Sequence, residues 1–267
     1  MPLPSSKKQL NKLGDRIAVN EPPAKEDLQQ LNAVLRAYQE ILVTVEEQLS
    51  LIGLSSTSRV KTRSVLIEKL RREKGMALAR VQDLAGARTV VEGGWTKQDE
   101  LVELLKAHFN RWTGVPTKVV DRRIIPSHGY RAVHLIVFPD GVPVEIQIRT
   151  QMQNFWAQIV EGLADRWGRG VRYGESPQNG HLPAEGVIHR DGSPVSRQRV
   201  IDDLRRVAGQ IAGIEQAERE IESMVNTPLP PLEGRIANSL GREIKDLDAD
   251  AARFYLRLRV TFKRAVN

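Results

Sequence analysis

Residues 130 to 150, YRAVHLIVFPDGVPVEIQIRT, hold the side chains of this chain best suited to chemistry. Val142, Val144, Ile146 and Ile148 alternate with Glu145, Gln147 and Arg149, the period of a half-buried strand. Asp140-Gly141 predicts a tight hairpin turn, because both residues tolerate positive φ. That turn sets Ile136 opposite Glu145 and His134 opposite Gln147. Tyr130, His134, Glu145, Gln147 and Arg149 then share one face. Arg131, Val133, Leu135 and Val137 share the other with the apolar residues of the second strand. An aromatic ring, an imidazole, a carboxylate, an amide and a guanidinium on one face suit a ligand. The same mixture also suits an ordinary solvated surface.

Charge narrows the ligand. Residues 59–80 hold eight cationic side chains against two acidic ones, and residues 253–264 hold five cations and no acid, within a net charge of +7. Two basic patches on a mildly acidic body suit phosphates of a nucleotide or a nucleic acid. A solvated helix face is the plainer reading of either run. The chain has no cysteine, which excludes disulfides, thiolate metal sites and cysteine nucleophiles. Charged residues interrupt every apolar run, so no membrane span is expected, and the opening MPLPSSKKQLNKLG has no signal-like apolar core. The expected location is the cytoplasm.

These side chains need a scaffold. The first twenty-odd residues read as loosely ordered up to Pro22-Pro23. Leu28, Leu31, Leu35, Tyr38, Leu42, Val45, Leu49 and Ile52 form a heptad seam, read as a helix packing on the core, with a dimer seam (and hence a homo-oligomer) as the alternative. Thr62 is positioned to cap a second helix, ended by Gly75, with Val65, Leu66 and Leu70 buried. Cations around that helix start make a phosphate seat. A strand over 87–92, a helix over 98–109 with Leu101, Leu104, Leu105 and Phe109 inward, and a strand over 117–125 precede the hairpin. A helix over 151–168 follows, apolar along Met152, Phe155, Trp156, Ile159, Leu163 and Trp167, and polar along Asn154, Gln158, Glu161 and Asp165. The predicted organisation is an N-terminal helical segment over 1–55, a core over 56–168, a flexible loop over 169–195 and a C-terminal helical segment over 196–267. The fold class is α+β, a mixed β-sheet flanked by helices with helical extensions at both ends.

Four motifs in order resemble the alarmone synthetase domain of the RelA/SpoT family: Asp83-Leu-Ala-Gly-Ala-Arg88, Gly129-Tyr-Arg-Ala-Val-His134, Glu145-Ile-Gln-Ile-Arg-Thr150 and Asn154-Phe-Trp-Ala157. Arg59-Val-Lys61 with Ser64 and Lys69 resembles the same family's donor-binding segment. The resemblance spans roughly residues 55–168, and without a metal-dependent hydrolase domain it points to the small, synthetase-only members. It implies a nucleotidyltransferase-like fold and transfer of pyrophosphate from ATP to the 3′-hydroxyl of GDP or GTP, giving (p)ppGpp.

That chemistry needs neutralised phosphates, a metal and an in-line hydroxyl. Mg²⁺ takes hard oxygen ligands, commonly one or two carboxylates. Asp83 and Glu145 are the pair the resemblance assigns to Mg²⁺, with Glu145 also receiving the hydroxyl proton. Arg59, Lys61, Ser64, Lys69 and Arg88 fall on the ATP side, and Arg59 and Arg88 can clamp the adenine. Tyr130 is assigned to stacking on the acceptor base, His134 to an acceptor phosphate, and Gln147 and Asn154 to positioning the acceptor. Arg149 reads as a structural ion-pair partner and Trp156 as core. The chain departs from the family twice: Val160 and Glu161 stand where Glu-His is usual, and Ile125-Pro126-Ser127-His128 replaces a lysine-containing loop. Both departures touch the acceptor side. The alternatives are therefore transfer to the 3′ end of tRNA or to an adenine nucleotide, and a non-catalytic nucleotide- or RNA-binding protein.

Overall fold

The computed structural model describes residues 3–73, 75–188 and 192–225. The basic run over 253–264, the prolines at 228, 230 and 231, and Lys74 lie outside them. The chain divides into two compact units. The first comprises Met1–Val90, Glu100–Asp121 and Val133–Ile148, and the second Val91–Asp99, Arg122–Ala132 and the chain from Arg149 on.

The first unit is built on a five-stranded mixed sheet. Its strands are β1 (Thr57–Val60), β2 (Ala85–Val91), β3 (Lys118–Asp121), β4 (Val133–Val137) and β5 (Val144–Thr150), in the order β1-β2-β5-β4-β3. Period-two alternation sends Ala85, Ala87, Val133, Leu135, Val137, Val144, Ile146 and Ile148 into one core. Helices close over that face: α1 (Lys7–Val19), α2 (Lys25–Leu51), α3 (Arg63–Arg72) and part of α4 (Trp95–Thr113). The α2 seam buries Leu31, Tyr38, Leu42, Val45 and Leu49, so the heptads serve this core. Each fully buried aliphatic side chain contributes roughly 1.5–3 kcal/mol.

The hairpin register is the expected one, with His134 opposite Gln147 and Ile136 opposite Glu145. Asp140 and Gly141 both take positive φ, 49° and 75°, and the Val142 N–H donates to the Pro139 carbonyl. The ladder itself stops at Val137 and Val144, and a 3-10 turn over Pro139–Gly141 completes the connection.

Several expectations are corrected. The opening is ordered: α1 starts with a capping box between Ser6 and Gln9 and buries Leu10, Leu13 and Ile17. Arg59 lies on a strand, β1, and not at a helix start. The Thr62 hydroxyl meets Ser64 Oγ and caps no backbone N–H. Leu104 is 49% exposed, while Val102 faces the core in its place. The strand expected over 117–125 ends at Asp121.

The second unit holds α5 (Gln151–Trp167), α6 (Arg197–Val225) and a small two-stranded sheet, β6 (Pro183–Ile188) with β7 (Pro194–Ser196). Residues 169–195, read as a loop, thus contain that hairpin and a 3-10 turn over Arg169–Tyr173. Trp156, Leu163 and Trp167 of α5 pack with Ile201, Leu204, Ala208 and Ile211 of α6.

Candidate active site

The sheet face opposite the core carries the polar residues. In an antiparallel pair, directly opposed residues project to the same side. Arg59 opposes Gly86 and Thr57 opposes Arg88, so Arg59 and Arg88 share a face. Gly86 has no side chain there, and it approaches β5: a Cβ on it would come within 3.4 Å of the Glu145 carbonyl oxygen. The floor between Arg59 and β5 is therefore bare backbone.

Asp83 stands just before β2. The Lys61 N–H donates to the Leu84 carbonyl at 2.8 Å, which fixes Lys61 beside it. Lys61 Nζ lies 3.1 Å from Asp83 Oδ2. Two turns into α3, Lys69 Nζ donates to both Asp83 oxygens at 2.8 and 3.0 Å. Burial pushes the Asp83 carboxyl up, but the two ammonium groups outweigh it and hold its pKa below the ordinary value.

Glu145 projects from β5 into a second set of donors. Its Oε1 lies 2.9 Å from His134 Nδ1, and its Oε2 accepts from Gln147 Nε2 at 2.8 Å. His134 is the diagonal neighbour across the β4–β5 pair, so the register itself makes the contact. Burial again pushes the carboxyl up. The His134 and Gln147 contacts outweigh it, and the charge of Asp83 pushes back, leaving the pKa lowered. Both carboxylates are thus ionised at neutral pH, and Glu145 feels the field of Asp83. Their four oxygens are the hard, anionic donor type that Mg²⁺ prefers. Among the described residues no group of three or more His, Cys, Asp or Glu gathers as a metal cluster. Ser64 is exposed at the start of α3 and contacts Thr62.

In the second unit, Tyr130 and Asn154 meet around Arg149. The Arg149 guanidinium is 2% exposed and lies 5.0 Å from the Tyr130 ring centroid. Its Nη2 donates to the Tyr130 hydroxyl at 3.2 Å, and its Nη1 to Asn154 Oδ1 at 3.5 Å. Glu161 completes the group, 3.6 Å from Arg149 Nη2. Arg149 is an ion-pair partner, as its sequence context suggested, and also the hub of this cluster. A tight turn presents Tyr130: Ser127 and Tyr130 exchange backbone hydrogen bonds around His128 and Gly129, both at positive φ. A Cβ on Gly129 would come within 2.8 Å of the Trp156 ring and 3.2 Å of Ala208 Cβ. Only glycine fits there. Trp156 is core, and its Nε1 donates to the Leu204 carbonyl at 2.7 Å. Arg131, expected on the core face of the sheet, precedes β4 and donates to the Ala208 carbonyl at 2.8 Å.

The residues missed from sequence form a buried polar network behind this cluster. Glu215 of α6 is 3% exposed. It accepts from Trp95 Nε1 at 2.7 Å, from Gln153 Nε2 at 2.9 Å and from the Thr150 hydroxyl. Thr150 in turn caps α5 in a capping box with Gln153. Burial raises the Glu215 pKa, against these hydrogen bonds and the charge of Arg123. No local pattern sets Glu215 apart from Glu218 or Glu220 in a charged helix.

The mixed sheet flanked by helices is shared with known proteins. The pattern described as the region found in RelA / SpoT proteins matches residues 58–168. The chain belongs to the RelA/SpoT family. An uncharacterized protein of Mycobacterium tuberculosis is 33% identical over 211 residues, covering 79% of this chain and 70% of that one. The GTP pyrophosphokinase YjbM of Bacillus subtilis is 28% identical, covering 60% of this chain and 74% of that one. The crystal structure of small alarmone synthetase 2 from Bacillus subtilis superposes with a TM-score of 0.50 at 21% identity, covering 72% of this chain and 97% of that one, and shares the fold. Among the described residues no helix is long and apolar enough to cross a membrane.

Proposed function

We propose that this chain is a Mg²⁺-dependent pyrophosphotransferase that moves the β,γ-pyrophosphate of ATP to the 3′-hydroxyl of GDP or GTP, producing (p)ppGpp. The observation that carries the reading is the pair of ionised carboxylates, Asp83 and Glu145, with Lys61 and Lys69 clasped to the first and His134 and Gln147 to the second. The GTP pyrophosphokinase relative supports the same reaction class.

Asp83 and Glu145 would hold Mg²⁺, which when bound neutralises phosphate charge and lowers the cost of transferring it. Lys61 and Lys69 supply mobile positive charge for the donor's phosphates, and Ser64 adds a hydroxyl contact. Arg59 and Arg88, on one face beside the bare Gly86, receive the adenine. The acceptor's 3′-oxygen bonds to the β-phosphorus, the bond from that phosphorus to the α–β bridging oxygen breaks, and AMP leaves. Ionised Glu145 takes the hydroxyl proton, held in place by His134 Nδ1 and Gln147 Nε2. Contact of His134 with an acceptor phosphate then falls to Nε2. Tyr130 stacks on the acceptor base, and Asn154 positions it. A cytoplasmic setting supplies both nucleotides.

The test is direct. Purified protein receives Mg²⁺ and ATP labelled in its β and γ phosphates, with GDP, GTP, ADP or deacylated tRNA in separate reactions. Label appearing in a guanosine product is expected. Label in tRNA or ADP alone overturns the acceptor, and no transfer to any of the four overturns the enzyme.

A further inference from the structure

The Glu161 carboxylate borders the Tyr130–Arg149 cluster. It is 31% exposed, and its one ion-pair partner among the described residues is Arg149, whose Nη2 lies 3.6 Å away, beyond hydrogen-bond range. Arg172 donates to the backbone carbonyl of Glu161 and to the Asp165 carboxylate, and so leaves the Glu161 carboxylate alone. Both of its oxygens therefore keep their accepting capacity in a partly desolvated position. The same Arg149 nitrogen donates to the Tyr130 hydroxyl at 3.2 Å, so the carboxylate lies close to the hydroxyl end of the Tyr130 ring. Arg149 lies 5.0 Å from the ring centroid on one side. A base stacked on the ring would bring its edge toward Glu161.

A carboxylate reads edges by accepting. Guanine offers two adjacent donors, N1–H and the 2-amino group, which match the two oxygens of one carboxylate. Adenine offers a lone pair at N1 and no amino group at C2, so it would set acceptor against acceptor. We infer that Glu161 is the specificity-determining residue for the acceptor base, selecting guanine through N1–H and the 2-amino group. This rests on the proposal above that the acceptor is a guanine nucleotide. Arg149 then has two tasks: it packs against the Tyr130 ring, and it orients the carboxylate without consuming its lone pairs.

Inosine diphosphate, which lacks only the 2-amino group, isolates the claim. Acceptor KM and, by calorimetry, Kd are measured for GDP and IDP with the wild type, Glu161→Gln and Glu161→Ala. The wild type is expected to favour GDP over IDP by roughly tenfold or more, the scale of one hydrogen bond to a charged group. Both variants are expected to bring the GDP-to-IDP ratio near one, with KM for ATP unchanged. A purely structural role, neutralising Arg149, would raise both acceptor constants together and leave their ratio intact, which overturns the inference. A wild-type ratio already near one overturns it as well. Failure of the parent proposal reads differently: the wild type then neither transfers to nor binds GDP, whatever the variants do, and the base assignment falls with it. Thermal unfolding of each variant confirms that the measured protein is folded.

Discussion

The chain holds two sets of carboxylates in polar company, and they behave oppositely. Asp83, just ahead of β2, and Glu145, on β5, are partnered by two lysines and by a diagonal histidine with an amide, and their pKa values are lowered. Glu215 is sealed in the second unit among an indole, an amide and a hydroxyl, with its pKa raised. Each lysine or histidine contact of the first pair is of a kind that a ligand's charge can replace. Those of the second are not, because every donor around Glu215 is buried and would be left unpaired. On the proposed function, substrate chemistry falls to the exchangeable contacts and architecture to the fixed ones.

The sharpest way to break this contrast is at Asp83. Asp83→Ala is expected to cut pyrophosphate transfer by roughly 10²–10³-fold or more, the scale of a lost transition-state electrostatic contact. Labelled-product initial rates read that loss, with circular dichroism confirming that the variant is folded; unchanged activity would end the metal-site assignment. Glu215→Ala should do the reverse. It strands the Trp95, Gln153 and Thr150 donors and should cost about 2–4 kcal/mol in urea unfolding. A loss within a few tenths of a kcal/mol would show that the network is not fixed.

Tyr130→Ala sharpens the division within the site. The acceptor KM should rise by roughly tenfold, as for a lost base stack, and the ATP KM should barely move. Equal increases would place Tyr130 outside the acceptor pocket.

The smallest expected effect is on pH. Lowered pKa values mean that Asp83 and Glu145 stabilise the fold above the ordinary carboxylate range and lose that contribution as pH falls through their folded values. Glu215 runs the other way: its contribution is present below the ordinary value of 4.5 and is given up as pH rises through its folded pKa. Glu215→Gln should therefore compare more favourably with wild type at pH 7 than at pH 4. Denaturant titrations at both values check it, and a difference that does not move with pH contradicts the raised pKa.

Much of the first set was legible. Strict alternation in residues 142–149 and one Asp-Gly pair fixed the hairpin register, because a slip by one residue would turn every side chain over. The α2 seam was equally clear from its heptads. β1 was not, since four residues, TSRV, carry too little period to register. β6 and β7 escaped because their pairing shifts register among glycines and prolines. Leu104 misled because two adjacent leucines on a helix cannot both face one core, and Val102 takes the inward place. Glu215 escaped for a deeper reason: its partners Trp95 and Thr150 are far away along the chain, and only folding brings them together.

Helix α6 begins at Arg197, well past residue 168, where the family pattern ends. Yet its carbonyls at Leu204 and Ala208 receive Trp156 and Arg131, and its Glu215 receives the α5 cap. A fragment cut at residue 168 would retain every shared motif and lose the wall against which Gly129 and Trp156 close. Ancestry and autonomy thus draw different borders on this polypeptide, and anyone trimming it for expression should follow the second.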